Sequence, residues 1–297
     1  MRSDQEFQAE PGVYPNLPIK KYHLSDGLSK TGACRLSRSA RTFRDFIDNP
    51  RVSKPTKSLQ TGSIFHIAME GAFDDECRVG PAVKDKRQKE WKEFVKAHPG
   101  KICMALEEAA EIQSMRQALL EYGPARDLLS EPGRFEVSYY WIDQATGILC
   151  KCRPDWISSN QLTIIDFKTA ADATEDEFRR SARRYHYYVS AAMTIDGVHA
   201  VTGIKPERYI FLAIEPQSPY LTAAYEATED DIELGREFIR RSLSTLKRCQ
   251  ENGTWPGLPE EIRALDVQRY ARRHAEEENS SDAQDEISNE SAGEWWE

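Results

Sequence analysis

Asp155 directly after Pro154, and Asp166 and Lys168 after ten intervening residues in the run Ile165-Asp166-Phe167-Lys168-Thr169, have types and spacing that suit phosphoester hydrolysis. Leu162, Thr163, Ile164 and Ile165 are largely β-branched, which predicts a buried strand leading into Asp166. Side chains alternate along a strand, so Asp166 and Lys168 share one face and Phe167 takes the other. Pro154 puts Asp155 at the end of an earlier strand or in the turn after it. Two carboxylates and a lysine then converge on one spot. Such a set suits Mg²⁺, a hard cation that takes one or two carboxylates and keeps positions for water and a phosphate oxygen. The lysine is left to orient or deprotonate the attacking water and to offset charge on the phosphorane. A lone Asp-Phe-Lys is ordinarily a solvated strand face; the Pro-Asp, the spacing and the apolar run are what point to chemistry.

The elements that must position these residues can be read in chain order. Residues 1–20 are polar, with Pro11, Pro15 and Pro18, and predict an irregular arm. A helix starts near Ser29 and turns Leu36, Phe43, Phe46 and Ile47 inward. Lys30, Arg35, Arg38, Arg41 and Arg44 give that segment a basic side, suited equally to phosphates and to solvent. After a polar linker over 50–61, residues 62–71 read as a helix capped by Ser63, with His66 and Glu70 on one face. A histidine in that setting is ordinarily a satisfied core residue and only secondarily a ligand. Residues 102–129 read as a structural helix.

Residues 134–142 alternate as a strand, 143–147 turn, and 148–153 return, which predicts a hairpin. Glu136 in its first strand is either an exposed strand residue or a carboxylate within reach of the metal. A helix over 175–193 carries Arg179, Arg180, Arg183 and Arg184, followed by Tyr185, His186, Tyr187 and Tyr188. Arginine interleaved with aromatics is the composition that grips a phosphate backbone, so Lys30, Arg179, Arg183, Arg184, Tyr185 and Tyr188 are candidate DNA contacts. Strands over 207–215 and 220–226 and a long helix from Thr228 or Glu229 to about Cys249 follow. A short helix with Arg269, Arg272 and Arg273 precedes an acidic tail over 275–297 whose composition predicts disorder.

The 297 residues, 39% hydrophobic and 10% aromatic, suffice for one large domain with appendages. A net charge of −9 looks wrong for a DNA-directed protein until it is located. Nine acidic residues and no lysine or arginine fall in 275–297, which leaves 40 acidic against 40 basic residues in the remainder. The folded part is formally neutral and free to carry basic patches. No stretch approaches the roughly 18 apolar residues of a membrane span, and the start does not read as a signal peptide. The six cysteines form no disulfide framework and point to a reducing cytoplasm; Cys150 and Cys152 read as small apolar fillers.

The pattern Pro-Asp, ten residues, Asp-x-Lys resembles the PD-(D/E)xK nuclease superfamily, with Asp155, Asp166 and Lys168 at its three signature positions. With the early helix bearing His66, the hairpin and the Arg/Tyr helix, the chain from about Tyr22 to Gly257 is similar to the RecE-type (exonuclease eight) branch found in phage and prophage recombination modules. The segments 22–30, 62–70, 139–155 and 165–169 carry most of that likeness. It implies an α/β, restriction-endonuclease-like core, a mixed central sheet flanked by helices. It also implies a ring-shaped homo-oligomer on double-stranded DNA ends, Mg²⁺-dependent 5′→3′ degradation of one strand, and a single-strand annealing protein as partner, with no membrane involved. Mn²⁺ is expected to substitute for Mg²⁺. By position, His66, Asp155, Asp166 and the Phe167 carbonyl would ligate metal, Lys168 would serve the attacking water, and Glu136 would be an auxiliary carboxylate. Related exonucleases carry Gln-x-x-x-Tyr on the helix after the lysine strand; the equivalent positions here are Ser190 and Thr194, a departure that bears on end recognition. The same residues also fit an endonuclease of this fold, or a non-catalytic DNA-binding scaffold of recombination. An iron–sulfur nuclease is disfavoured because only Cys249 lies beyond Cys152.

Overall fold

The β-branched run ahead of Asp166 lies at the centre of a five-stranded sheet, with Ile164 and Ile165 fully buried in the cores on its two sides. The computed structural model describes residues 7–49, 56–265 and 267–268. In chain order, β1 (Gly12–Tyr14) precedes three short helices, α1 (Ile19–Leu24), α2 (Lys30–Arg38) and α3 (Ala40–Asp48). Helices α4 (Lys57–Met69) and α5 (Phe73–Glu76) lead through β2 (Cys77–Val79), α6 (Lys89–Ala97) and β3 (Ile102–Met104) to α7 (Leu106–Glu121) and α8 (Gly123–Leu129). Five strands follow: β4 (Gly133–Phe135), β5 (Ser138–Ile142), β6 (Leu149–Cys152), β7 (Trp156–Ser158) and β8 (Thr163–Thr169). The chain continues with α9 (Glu175–Arg184), α10 (Tyr187–Thr202), β9 (Arg208–Ile214), β10 (Thr222–Glu226) and α11 (Glu229–Asn252).

The main sheet runs β10-β9-β8-β7-β4, parallel between β8 and β9 and antiparallel elsewhere. Parallel neighbours need a crossover, and α9 with α10 supplies it. Both faces of the sheet are covered, which is why β8 and β9 read as near-continuous apolar runs. One core joins Ile164, Tyr209 and Phe211 to residues of α10 and α11; the other joins Ile165, Phe167 and Leu212 to residues of α4 and α7. A smaller sheet, β1-β5-β6, is antiparallel. The expected α/β core with a mixed sheet flanked by helices is what forms.

Several local expectations give way. The strand expected over 134–142 breaks at Glu136: β4 joins the main sheet beside β7, whereas β5 joins the smaller one beside β6. The helix expected over 175–193 breaks at His186, whose φ of 55° stops α9 and turns the chain into α10. Residues 102–129 begin as β3 before α7 and α8. The arm expected to be irregular includes β1, paired with β5, and the start of α1. Helix α4 begins earlier than expected and is capped by Thr56, whose hydroxyl accepts from Leu59 N, not by Ser63. Phe46 and Ile47 are exposed rather than turned inward. Residues Met1–Gly257 form one unit and Leu258–Glu297 a second, in whose described part Leu258, Ile262 and Leu265 are exposed. The expected helix with Arg269, Arg272 and Arg273 and the acidic tail lie outside the described residues.

Candidate active site

β7 pairs with β8 at Trp156↔Ile165 and Ile157↔Ile164 and stops there. The N–H of Phe167, just past that ladder, donates to Asp155 Oδ2 at 2.7 Å. Within a strand the N–H and C=O of one residue point to the same side, so the Phe167 carbonyl also opens toward Asp155; Lys168 Nζ approaches it at 3.4 Å. Asp166 is 6% exposed on the opposite strand face from Phe167. Its Oδ1 accepts from Lys168 Nζ, and its Oδ2 accepts from Tyr209 OH at 3.0 Å. The Lys168 ammonium also lies 5.1 Å from the centre of the Tyr187 ring.

Helix α4 buries Ile64, Phe65, Ala68 and Met69, which fixes its rotation and turns His66 toward the sheet edge. His66 Nδ1 stands 3.4 Å from Asp155 Oδ1. Glu136 arrives from the break between the two sheets. Its φ of 54° is a left-handed conformation that costs a non-glycine residue on the order of 1 kcal/mol. Two contacts hold it there: its N–H donates to Asp155 O at 3.0 Å, and Arg153 Nε donates to its carboxylate. Arg153 is itself fixed by Leu17 O at 2.7 Å and Ser138 Oγ at 2.8 Å. Thus Arg153, Pro154 and Asp155, consecutive in sequence, organise both carboxylates at the mouth of β8.

The electrostatics follow from burial and crowding. Burial opposes charge on His66, but the Asp155 carboxylate beside it outweighs that and raises the imidazole to about 9. Burial likewise opposes ionisation of Asp155, yet His66 and Lys168 hold it well below the usual carboxylate range. Asp166 is pushed up to about 6, by burial first and then by neighbouring Asp155, against the pull of Lys168. Glu70, one turn after His66, is raised to about 7 by burial and by Glu136, which lies within hydrogen-bond reach. Four carboxyl groups, Glu70, Glu136, Asp155 and Asp166, thus crowd around three cations, Lys168, Arg153 and the His66 imidazolium, and Glu70 and Asp166 are the two held back from ionising.

His66, Glu136 and Asp155 each offer a ligand atom, and these atoms lie within 4.8 Å of one another. An imidazole nitrogen with carboxylate oxygens fits a divalent cation, which would take the place of the imidazole proton that Asp155 now holds. The expected ligands share His66 and Asp155 with this triad and differ in the other carboxylate. Glu136, expected as an auxiliary group, is one of the three that converge, whereas Asp166 stands beside Asp155, ion-paired with Lys168.

A cavity of about 680 Å³ opens from these groups, bordered by Asp155, Asp166, Lys168 and Lys30, and by Ser190 and Thr194 of α10. Lys30 Nζ donates to Tyr185 O at 2.6 Å and ties α2 to the corner between α9 and α10. Of the other expected DNA contacts, Arg179 is ion-paired with Glu175 and Asp176 on its own helix. Arg183 and Arg184 lie in the last turn of α9, with the Arg184 guanidinium 5.6 Å from the Tyr185 ring centre. Tyr188 OH meets His186 Nδ1 at 2.9 Å. None of these five, Tyr185 included, borders the cavity.

Two positioning residues were missed in the sequence. Arg153 carries no signal beyond its place before Pro154. Tyr209 alternates with Phe211 and Ala213 on one strand face, but the parallel register that sets this face beside Asp166 (Ile164↔Tyr209, Asp166↔Phe211) is not visible in the chain itself.

A parallel strand pair with a helical crossover, and carboxylates and a lysine at the strand's open end, is the PD-(D/E)xK nuclease fold. The chain belongs to the family described as the PDDEXK-like domain of unknown function (DUF3799), whose model matches residues 34–268. Among solved structures it is similar to a candidate exonuclease from Eubacterium rectale, at 13% identity and a TM-score of 0.60, over 85% of this chain and 96% of that one. A phage-related exonuclease from Haemophilus somnus 129PT matches at 8% identity and a TM-score of 0.33, over 59% and 91% of the two chains. An alkaline exonuclease from Laribacter hongkongensis matches at 12% identity and 0.21, over 57% and 89%. The first of the three carries the likeness of fold. No curated protein matches the chain. Among the described residues no helix is long and apolar enough to cross a membrane.

Proposed function

We propose that the protein is a RecE-type, divalent-metal-dependent exodeoxyribonuclease that degrades linear double-stranded DNA 5′→3′ and leaves single strands for recombination by annealing. The observation that carries this reading is the convergence of Asp155, Asp166 and Lys168 with His66 and Glu136 beside one cavity at the end of β8. His66, Asp155, Asp166 and the Phe167 carbonyl would hold Mg²⁺, or Mn²⁺ in its place, with Glu136 as a further carboxylate. When bound, the cation supplies Lewis-acid stabilisation of the phosphate and a more acidic water.

The chain's own residues do the rest. Lys168 would present an ammonium to the attacking water and to negative charge developing on the phosphate oxygens. Tyr209 and Lys168 hold the two Asp166 oxygens in fixed directions. Arg153 keeps Glu136 aimed at the same spot. Lys30 would contact the DNA backbone at the cavity, and Arg179, Arg183, Arg184, Tyr185 and Tyr188 would grip it away from the cavity border. A homo-oligomeric ring, a single-strand annealing partner and a cytoplasmic setting belong to this reading through the RecE likeness.

The test is digestion of linear and covalently closed circular duplex, each with Mg²⁺ or EDTA. Mg²⁺-dependent loss of the linear DNA alone is the expected result. Cutting of the circle would assign an endonuclease, the reading favoured by Ser190 and Thr194 standing where Gln and Tyr are expected. DNA binding without cleavage of either form would assign a scaffold.

A further inference from the structure

The arm ahead of α1 reaches the site that the main sheet builds. β1 pairs with β5 at Gly12↔Tyr140, Val13↔Tyr139 and Tyr14↔Ser138, on the edge of the smaller sheet. Three residues of edge strand make a short ladder, and aromatic contacts supplement it. Tyr14 meets the Tyr140 ring edge-on with centroids 5.4 Å apart, and Phe7 lies 5.4 Å from Tyr14 and 6.1 Å from Tyr140. Leu17 is buried in one cluster with Tyr22 and Tyr140.

The arm ends against Arg153. Pro18 keeps Leu17 extended, because a residue before proline is pushed out of the helical region. Tyr22 N donates to Pro18 O at 3.0 Å, so α1 starts after Leu17 and leaves the Leu17 carbonyl for another donor. That donor is Arg153, whose Nη1 directs its two N–H groups to Leu17 O at 2.7 Å and to Ser138 Oγ at 2.8 Å. Ser138 faces Tyr14 across the ladder, so both acceptors sit where the arm docks. The remaining direction, Nε, goes to the Glu136 carboxylate. The Arg153 side chain is 10% exposed, so water does not readily replace a lost acceptor. Glu136 keeps its left-handed φ of 54° between this guanidinium and Asp155 O.

We propose that the arm over residues 7–17 is a working part of the metal centre: seated on β5, it fixes Arg153 and through it Glu136 for the divalent cation, and lifted off, it lowers the affinity for that cation. This rests on the nuclease reading and deepens it by naming what sets metal occupancy. Groups that hold a ligand from behind typically account for about 10–100-fold in metal affinity. Linkage makes the effect mutual, so a bound cation must hold the arm down by the same factor.

The experiment titrates the full-length protein with Mg²⁺ alone in a calorimeter and follows amide hydrogen exchange over residues 7–17 with and without the ion. Tyr14→Ala should weaken Mg²⁺ binding roughly tenfold, while Tyr14→Phe, which keeps the ring, should match the wild type. Arg153→Ala should weaken binding at least as much, and adding Tyr14→Ala to it should weaken it no further, since both act through one guanidinium. In the wild type, saturating Mg²⁺ should slow exchange over 7–17 roughly tenfold. Phe7→Ala provides a second arm variant should Tyr14→Ala fold poorly. Unchanged Mg²⁺ affinity in both arm variants, fully additive losses in the double variant, or exchange over 7–17 indifferent to Mg²⁺ would overturn the proposal and leave the nuclease reading standing. A wild type that binds no Mg²⁺ would remove both together.

Discussion

At the end of β8 the charged side chains are buried and reach across the fold, whereas on α9 they are exposed and pair within their own helix. Asp166 is joined to Lys168 two residues away, to Tyr209 on the neighbouring strand, and to Asp155, which in turn meets His66 of α4. Arg179 pairs with Glu175 and Asp176, and Arg180 with Glu177, all three or four residues apart and all exposed. In sequence both regions are short runs of mixed charge. The difference lies in what surrounds them. Breaking a buried link leaves an uncompensated charge in a poorly solvated place, whereas an exposed helical pair is worth little because water replaces it.

That contrast sets an order of effects. The largest is expected for Asp166→Ala, which should lose Mg²⁺ binding in calorimetry and at least about 10³-fold in turnover on linear duplex, the scale of removing a group that acts on the reacting charge. A variant that kept both would break the comparison at its stronger end.

Next come the buried thiols of β6, the strand that leads to Arg153. Burial pushes Cys150 up to about 12 and raises Cys152 further, whereas an unfolded thiol titrates near about 8.5. The folded state therefore keeps protons that the unfolded state releases. The stability from these groups is full below about pH 8.5 and is lost as pH rises toward their folded values. From pH 8.5 to 10 each should account for about 2 kcal/mol of loss. Urea unfolding at the two pH values checks this: Cys150→Ala should show a shallower decline than wild type, and an equal decline would contradict it.

A smaller effect is expected for Tyr209→Phe, which removes one donor to a buried carboxylate. The expected costs are about 1–3 kcal/mol in urea unfolding and roughly tenfold in turnover, with duplex affinity unchanged. Loss of affinity in place of turnover would move Tyr209 out of the positioning role.

Arg179→Ala should have the least effect. Stability should stay within about 0.5 kcal/mol, turnover should barely change, and the salt dependence of DNA binding should drop by about one counterion if Arg179 meets a phosphate. A large loss of stability would show that α9 is not the solvated surface described above.

The strands were legible where one rule governed them. β8 and β9 show β-branched apolar runs because both faces are covered, and Asp166 and Lys168 share a face through simple alternation. Thr228 signalled the start of α11, and its hydroxyl does cap Asp231 N. What was illegible depended on partners far away in the chain. Residues 134–142 alternate as one strand, yet Glu136 takes a left-handed φ because Arg153 and the Asp155 backbone hold it there. Phe46 and Ile47 fit an inward helical face by periodicity, and nothing local says that the fold leaves a cavity before them. His66 taken alone reads as a core histidine, and only the RecE-type likeness marked it as a ligand; the meeting of α4 with the open edge of β8 brings it to Asp155. Glu70 shared its face in the sequence, and its contact with Glu136 emerges only once the two sheets divide.

The central claim is that the charges at the end of β8 form a hydrolytic centre and not merely a buried ion-pair network. It is tested most directly by Lys168→Ala beside the wild type, measuring Mg²⁺-dependent turnover and equilibrium affinity on the same linear duplex. Turnover lower by at least about 10²-fold with affinity within a few-fold is the predicted result. Comparable turnover in the variant would contradict the claim and leave Lys168 as only a partner of Asp166.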